Sequence, residues 1–327
     1  MLVLGSRGAG GKHRHTRRVR RSFTSVPLLP MTNADDLSTN AIFGFKIQWL
    51  QRSIIVATLL STFLSAQSAL ELAKSYYQKG NYKRAKALLT KEARRGNIEA
   101  ELSLAKIYKK GIGTAPSNEK ALYWYKKACK TSSDACYQAA KIYEESNRSK
   151  EMLQYYQKAI NKKSTKALFA LATLYYNGNL LKRDIPQAIK LYKKAAKKGD
   201  TLSNYNLGYI YEHGIGVDKD FKKAFAYYSK AAKKGYIDAA YNLATLYYLG
   251  KGVKKDPQKA FEWYKQAALK GDSEAQYNVG LMYYKGEGVL RNKLYAFRYW
   301  LEAAKASHLK AQDGLDRLCK ESPWACH

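Results

Sequence analysis

The sequence predicts an all-α fold: a right-handed α/α superhelix of about seven helix-turn-helix repeats. Three observations carry this. A pattern returns every 36 residues, with unit starts at Ala167, Ser203, Ala239, Ala275 and Ala311. A Gly-x-Gly loop recurs in matching surroundings, at Gly111-Ile-Gly113, Gly214-Ile-Gly216, Gly250-Lys-Gly252 and Gly286-Glu-Gly288. The 327-residue chain carries 28 tyrosines but only six prolines, and no strand-like alternation runs for more than a few residues. A fixed period of this length marks stacked units that cannot bury their apolar faces alone.

The first 45 residues stand apart from that pattern. The run GKHRHTRRVRR from Gly11 is basic and has no apolar face, so disorder is expected over 1–45. The sequence leaves open a start downstream of Met1, at Met31 or a non-Met codon. A basic flank and the apolar Ser53–Ala66 then give the order of a secretory signal peptide over 46–66, with a cut after Ala66 or Ser68. An apolar core of about 14 residues falls short of the ~20 that span a bilayer. The alternative is an uncleaved anchor over Ser53–Ala73, against which Gln67 and Glu71 count.

From residue 67 the repeats begin. A tetratricopeptide-like unit is expected over 67–99, around YYQKGNYKRAKALL. Repeats with a Gly-x-Gly loop follow over 100–310, and a capping helix with a closed tail over 311–327. Upstream starts at Ala100 and Ala135 continue the pattern at spacings of 35 and 32. Within one unit, Leu207, Gly208 and Tyr211 form the apolar face of a first helix, here called helix A. Gly214 and Gly216 supply positive φ in the loop, and Asp218 and Asp220 lie where a carboxylate caps a second helix, helix B. Ala224, Tyr228, Ala231 and Ala232 form the packing face of helix B, and Gly235 ends it as a C′ glycine. The loop is therefore a corner. A dinucleotide site would need a preceding strand and a third glycine where Lys219 stands.

Without residues 1–66 the chain has 49 Lys/Arg against 24 Asp/Glu, a formal charge of +25. Acidic partners, including envelope polymers, suit such a charge. Many of the lysines sit at helix C-terminal ends, in YKKAAKKG and YSKAAKKG, where cations complement the helix dipole. No one-sided basic stripe or reading motif accompanies them, which argues against nucleic acid.

The pattern A-x-Y-N-L-G-x-x-Y-x-x-G-x-G-V…D…K-A-x-x-x-Y-x-K-A-A-x-x-G, nearly complete over Ala239–Gly271, resembles the Sel1-like repeat, a longer-looped relative of the tetratricopeptide repeat. The units at Ala69 and Ala135 lack Gly-x-Gly, and the unit at Ala167 has Leu180 in place of the second glycine.

Four cysteines form two pairs of equal spacing, Cys129/Cys136 and Cys319/Cys326, read as disulfides in an exported chain. The first pair staples two consecutive repeats across their turn, with Cys136 expected as the second residue of its helix. The second folds the tail back past Pro323 onto a truncated last helix A. The spacing does not suit zinc or a redox pair, and neither metal nor cofactor is expected. Cysteines at these repeat positions resemble the secreted Helicobacter cysteine-rich proteins, whose repeats mostly carry a pair with seven residues between the cysteines; here six lie between, and four repeats carry no pair.

The resemblance to tetratricopeptide domains implies a peptide- or protein-binding concave surface made mainly by helix A. Asn206, Asn242 and Asn278 share one repeat position there, each preceded by a tyrosine, Tyr205, Tyr241 and Tyr277. Carboxamides both donate and accept, so a ladder of them suits a ligand backbone or carboxylate. The competing reading has these asparagines bonding neighbouring helices and holding the repeats in register. The cysteine-rich family also implies a penicillin-interacting or weak β-lactamase-like envelope hydrolase as the alternative function. Ser103, Ser117 and Ser307 each begin an S-x-x-K, but neither S-D-N nor K-T-G occurs, and no catalytic residue is assigned. The sequence reading is an exported repeat scaffold, secreted or periplasmic, or else inner-membrane-anchored, that holds a protein, peptide or envelope ligand in a groove.

Overall fold

The computed structural model describes residues 67–326 and Val56. The basic leader and, Val56 apart, the signal segment lie outside these residues. Among the described residues there is no strand, and no helix is long and apolar enough to cross a membrane.

Fifteen helices alternate along the described chain. A helix over 67–78 (α1) precedes α2 (Tyr82–Arg94), and the pairs α3 (Ile98–Lys110)/α4 (Asn118–Ala128) and α5 (Ser133–Glu145)/α6 (Ser149–Asn161) follow. Then come α7 (Thr165–Asn177)/α8 (Ile185–Lys197), α9 (Thr201–His213)/α10 (Phe221–Ala232), α11 (Ile237–Leu249)/α12 (Pro257–Ala268) and α13 (Ser273–Lys285)/α14 (Lys293–Lys305). A last helix α15 (Leu309–Glu321) and a short 3₁₀ turn, Pro323–Ala325, end the chain. From α2 to α15 each helix packs against the next in sequence, which makes the array an all-α repeat solenoid.

Local chemistry sets each boundary. Asp200, Asp220, Asp256 and Asp272 accept a backbone N–H three residues on, capping α9, α10, α12 and α13. Asp218, the other candidate cap, stays exposed in the loop. Helices α3, α7, α9, α11 and α13 stop at a left-handed glycine whose N–H returns to a carbonyl four residues back. The B helices end differently from expectation. α10 ends at Ala232, and Gly235 (φ +82°) comes only after Lys233 and Lys234. The helices also begin two residues before the predicted unit starts, because the cap lies further upstream, as at Asp200 for the unit starting at Ser203.

The second glycine of each loop has its own reason. Gly113, Gly216, Gly252 and Gly288 all have positive φ. A Cβ on Gly216 would lie 2.5 Å from Ile185, and one on Gly252 or Gly288 would strike the backbone of Phe221 or Pro257, at the start of the preceding B helix. The loop thus docks one repeat on the previous one, which explains why the motif recurs in the four units that carry it. Leu180 breaks the rule and is partly buried; its carbonyl accepts a hydrogen bond from Ser149 at the start of α6, 3.0 Å away.

The core runs the length of the solenoid as alternating small and aromatic residues. Ala121, Ala188, Ala224, Ala260 and Ala296 are fully buried on the B helices. Beside them stand Tyr125, Tyr156, Tyr192, Tyr228, Tyr264 and Trp300, one per repeat at one register position. Gly208 and Gly280 admit the rings of Tyr228 and Trp300, where a Cβ would lie 2.5 Å away.

Both predicted disulfides are present. Cys129 follows α4 and joins Cys136 with Cα atoms 4.6 Å apart; Cys319 joins Cys326 at 5.7 Å. Two expectations need correcting. Cys136 is the fourth residue of α5, not the second, since that helix starts at Ser133. The last A helix is not truncated: α15 has 13 residues like its counterparts, and what it lacks is a B helix. The disulfide-tied tail packs there instead, with Ser322 and Ala325 buried and the ammonium of Lys293 donating to the Ser322 hydroxyl.

Candidate functional site

The candidate site is a row on the A helices. Asn206, Asn242 and Asn278 occupy the sixth position of α9, α11 and α13, and all three are partly buried, as are Tyr205, Tyr241 and Tyr277 beside them. Each asparagine meets a tyrosine of the preceding repeat. Asn278 donates to the hydroxyl of Tyr241 at 3.4 Å. Asn242 lies near the hydroxyls of Tyr205 and Tyr228, and Asn206 near that of Tyr192, close enough to bear on their proton affinity. The carboxamides therefore also bridge repeats, as the competing reading expects. An amide offers two donors and an acceptor with two lone pairs, so one bond leaves capacity for a second partner.

The tyrosines are set by the same packing. The ring of Tyr205 lies 5.8 Å from Tyr228 and 4.9 Å from Tyr236, and Tyr241 meets Tyr264 edge-on at 5.4 Å. Tyr277 stacks on His308 at 4.8 Å and gives its carbonyl to the indole N–H of Trp300. Burial raises the hydroxyl pKa of Tyr205 and Tyr241, while the bonds to Asn242 and Asn278 act the other way. Tyr205 and Tyr241 therefore stay neutral hydrogen-bonding groups near pH 7.

Extended toward the N-terminus, the sixth position passes through Ala170, Gln138 and Ser103. Ser103 lines a cleft between α1 and α3, together with Lys106. The other two S-x-x-K serines do local work. Ser117 caps α4 by accepting from the Lys120 N–H, and Ser307 holds a positive φ in the turn before α15. The two described histidines are likewise local: Nδ1 of His308 caps α15, and His213 stacks on Tyr209 at 4.1 Å. Among the described residues no three His, Cys, Asp or Glu side chains gather as metal ligands.

A second feature is a line of lysines along the turns between repeats, whose reach to the previous repeat the sequence does not reveal. The Lys162 ammonium donates to the Lys130 carbonyl, Lys198 to that of Lys163 and Lys234 to that of Gly199, each one repeat back. The donors belong to lysine pairs at the ends of B helices, Lys162-Lys163, Lys197-Lys198 and Lys233-Lys234.

The Sel1 repeat model matches residues 98–130, 165–200, 201–236, 237–272 and 273–308, more than half of the chain, and leaves α5 and α6 outside the matched segments. A comparison with curated proteins gives no match. Among solved structures, a protective antigen of uropathogenic Escherichia coli with an SLR fold is 28% identical, with a TM-score of 0.71 over 79% of this chain. The chain spans 57% of that protein's length. A Sel1 repeat protein from Oxalobacter formigenes is 26% identical, with a TM-score of 0.64 over 77% of this chain and 76% of its own. Helicobacter pylori cysteine rich protein B is 28% identical over 42% of this chain and 98% of its own, at a TM-score of 0.33. With its loop glycines, its B-helix tyrosines and its 36-residue period accounted for, this chain belongs to the Sel1 repeat family.

Proposed function

We propose that this Sel1 repeat protein, built as a scaffold for protein interaction like its family in general, is an exported adaptor that holds a protein or peptide along the row of A helices. Asn206, Asn242 and Asn278 would bond the ligand backbone, and Tyr205, Tyr241 and Tyr277 would supply rigid contact area. The observation that carries this reading is their placement. Three carboxamides stand one repeat apart on consecutive A helices, each only partly buried. Two disulfides, with no free cysteine among the described residues, support an oxidising compartment, the periplasm or the exterior. The excess of lysine and arginine suits an acidic partner, including an acidic component of the cell envelope.

The test is paired affinity capture from an envelope extract. One bait is oxidised 67–327; the other carries Asn206→Ala, Asn242→Ala and Asn278→Ala and is checked by circular dichroism. High salt in the wash removes partners held by charge alone. A partner retained by the first bait and lost by the second supports the reading. Equal retention of the same partners assigns the asparagines to repeat packing alone.

A further inference from the structure

Two clefts open along the sixth-position row, and both lie at a small residue. One is lined by Ala170 between α5 and α7, the other by Ser103 between α1 and α3. An asparagine at this position reaches a tyrosine of the preceding repeat and occupies the space between successive repeats. A serine or alanine is too short to do so. The row therefore holds asparagine positions toward its C-terminal end and open ones at Ser103 and Ala170, and the open ones can take up a ligand side chain.

The α1–α3 cleft has a volume of about 300 Å³. Its apolar wall is Leu70, Ala73, Leu89 and Ile107, all buried, with the half-exposed Tyr77 at its mouth. Ligand sites run from ~300 to 1,000 Å³, so this one has room for one or two side chains and not for a helix. Its charge is one-sided. Lys74 is taken up by Glu99 at 3.0 Å and Glu71 at 3.5 Å. Lys106 and Lys110, one turn apart on α3, are exposed, and among the described residues neither has a carboxylate within ion-pair distance. With the Ser103 hydroxyl one turn before Lys106, they place a donor and two uncommitted cations along one side of an apolar slot.

We propose that this cleft receives one large apolar side chain of a peptide whose neighbouring residues are acidic, the carboxylates meeting Lys106 and Lys110. This rests on the reading of the chain as a peptide-holding scaffold and names the class of peptide. It also moves the anchoring contact away from the three asparagines to the first two repeats.

The probe is a fluorescein-labelled peptide of glutamates around one tryptophan, followed by anisotropy against oxidised 67–327. Controls replace the tryptophan with alanine, or the glutamates with lysines. The tryptophan–glutamate peptide should bind at least ~10-fold tighter than either control, a margin of about 1.4 kcal/mol. Lys106→Glu with Lys110→Glu, both on exposed positions that leave the core untouched, should weaken it by a similar factor. Ala73→Phe, which fills the slot, should do so in protein that circular dichroism shows to be helical. The Asn206→Ala, Asn242→Ala, Asn278→Ala protein should bind the probe as before, which separates this inference from the row reading. Equal binding of the alanine control, indifference to the charge reversal, or loss of binding only in the asparagine variant would overturn it.

Discussion

The hydroxyl of Tyr228, on a fully buried ring in α10, donates to the carboxylate of Glu212 in α9 at 2.7 Å. Tyr156 and Glu144 repeat that pairing between α6 and α5. The repeat after each of these solves the same problem with a threonine: Tyr192 bonds Thr173 at 3.0 Å and Tyr264 bonds Thr245 at 2.8 Å. The threonine stands at the ninth position of helix A and the glutamate at the twelfth, one turn apart on the same face. Either can satisfy the one polar atom of an otherwise apolar layer.

Glu212→Ala leaves that buried hydroxyl without its partner and should cost about 1–3 kcal/mol in chemical denaturation. Tyr228→Phe removes the donor itself and should cost less, since Glu212 is only partly buried and can turn to water. Adding Tyr209→Thr to Glu212→Ala places a threonine at the position of Thr173 and Thr245, and should recover part of the loss. A rescue as large from Tyr209→Ala would assign the effect to Tyr209 and not to the hydroxyl bond.

The loop glycines should separate into two classes. Gly288 has φ +72° and faces the backbone of Pro257, so Gly288→Ala adds a collision to the cost of a left-handed alanine. A loss of about 2–4 kcal/mol is expected. Gly271 has φ +90° with nothing within 4 Å of a Cβ, so Gly271→Ala should cost only the backbone strain, about 1–2 kcal/mol. Denaturant midpoints of the two variants decide this, and equal losses would count against docking of the loops.

Reduction of the disulfides should lower stability without unfolding the array. Chain entropy for so short a loop gives about 2.5 kcal/mol for the Cys129–Cys136 bridge. Thermal unfolding with and without a reductant measures it. A variant with Cys129, Cys136, Cys319 and Cys326 all changed to alanine should show no reductant effect.

Alkaline pH should unfold the protein cooperatively. Burial pushes the Tyr125 hydroxyl up to about 12, and burial first, then the hydrogen bond to Glu212, raises that of Tyr228 further. A raised pKa here means that the native state holds the proton more tightly than the unfolded chain, whose tyrosines titrate near 10. The stabilisation is complete below pH 10 and is lost as pH rises above it, by about 1.4 kcal/mol per pH unit for each such tyrosine. Phenolate absorbance and far-UV circular dichroism should therefore change together above pH 10. Full tyrosine ionisation with the helices intact would contradict this.

Much of the architecture was legible because repetition amplifies weak signals. A single Gly214-Ile-Gly216 is ambiguous, but four copies at matching positions identify a corner. The disulfide partners followed from where Cys129 and Cys136 fall in the repeat. Helix starts were misplaced by two residues because caps such as Asp200 lie upstream of the alanines that mark the period. The partners of buried polar groups were not legible. Tyr192 and Tyr228 occupy equivalent positions yet choose Thr173 and Glu212, and each choice depends on a three-dimensional reach between two helices. The row was visible as Asn206, Asn242 and Asn278 with Tyr205, Tyr241 and Tyr277, but not the reach of an asparagine to a tyrosine of the preceding repeat, as from Asn278 to Tyr241.

The central claim is that a partner is held along the A helices, and hydrogen–deuterium exchange of oxidised 67–327 with and without a captured partner tests it most directly. The account predicts added protection in α9, α11 and α13 around Asn206, Asn242 and Asn278, and in α3 around Ser103. Protection confined to the B helices, or to the lysine-bearing turns at Lys162, Lys198 and Lys234, would contradict it.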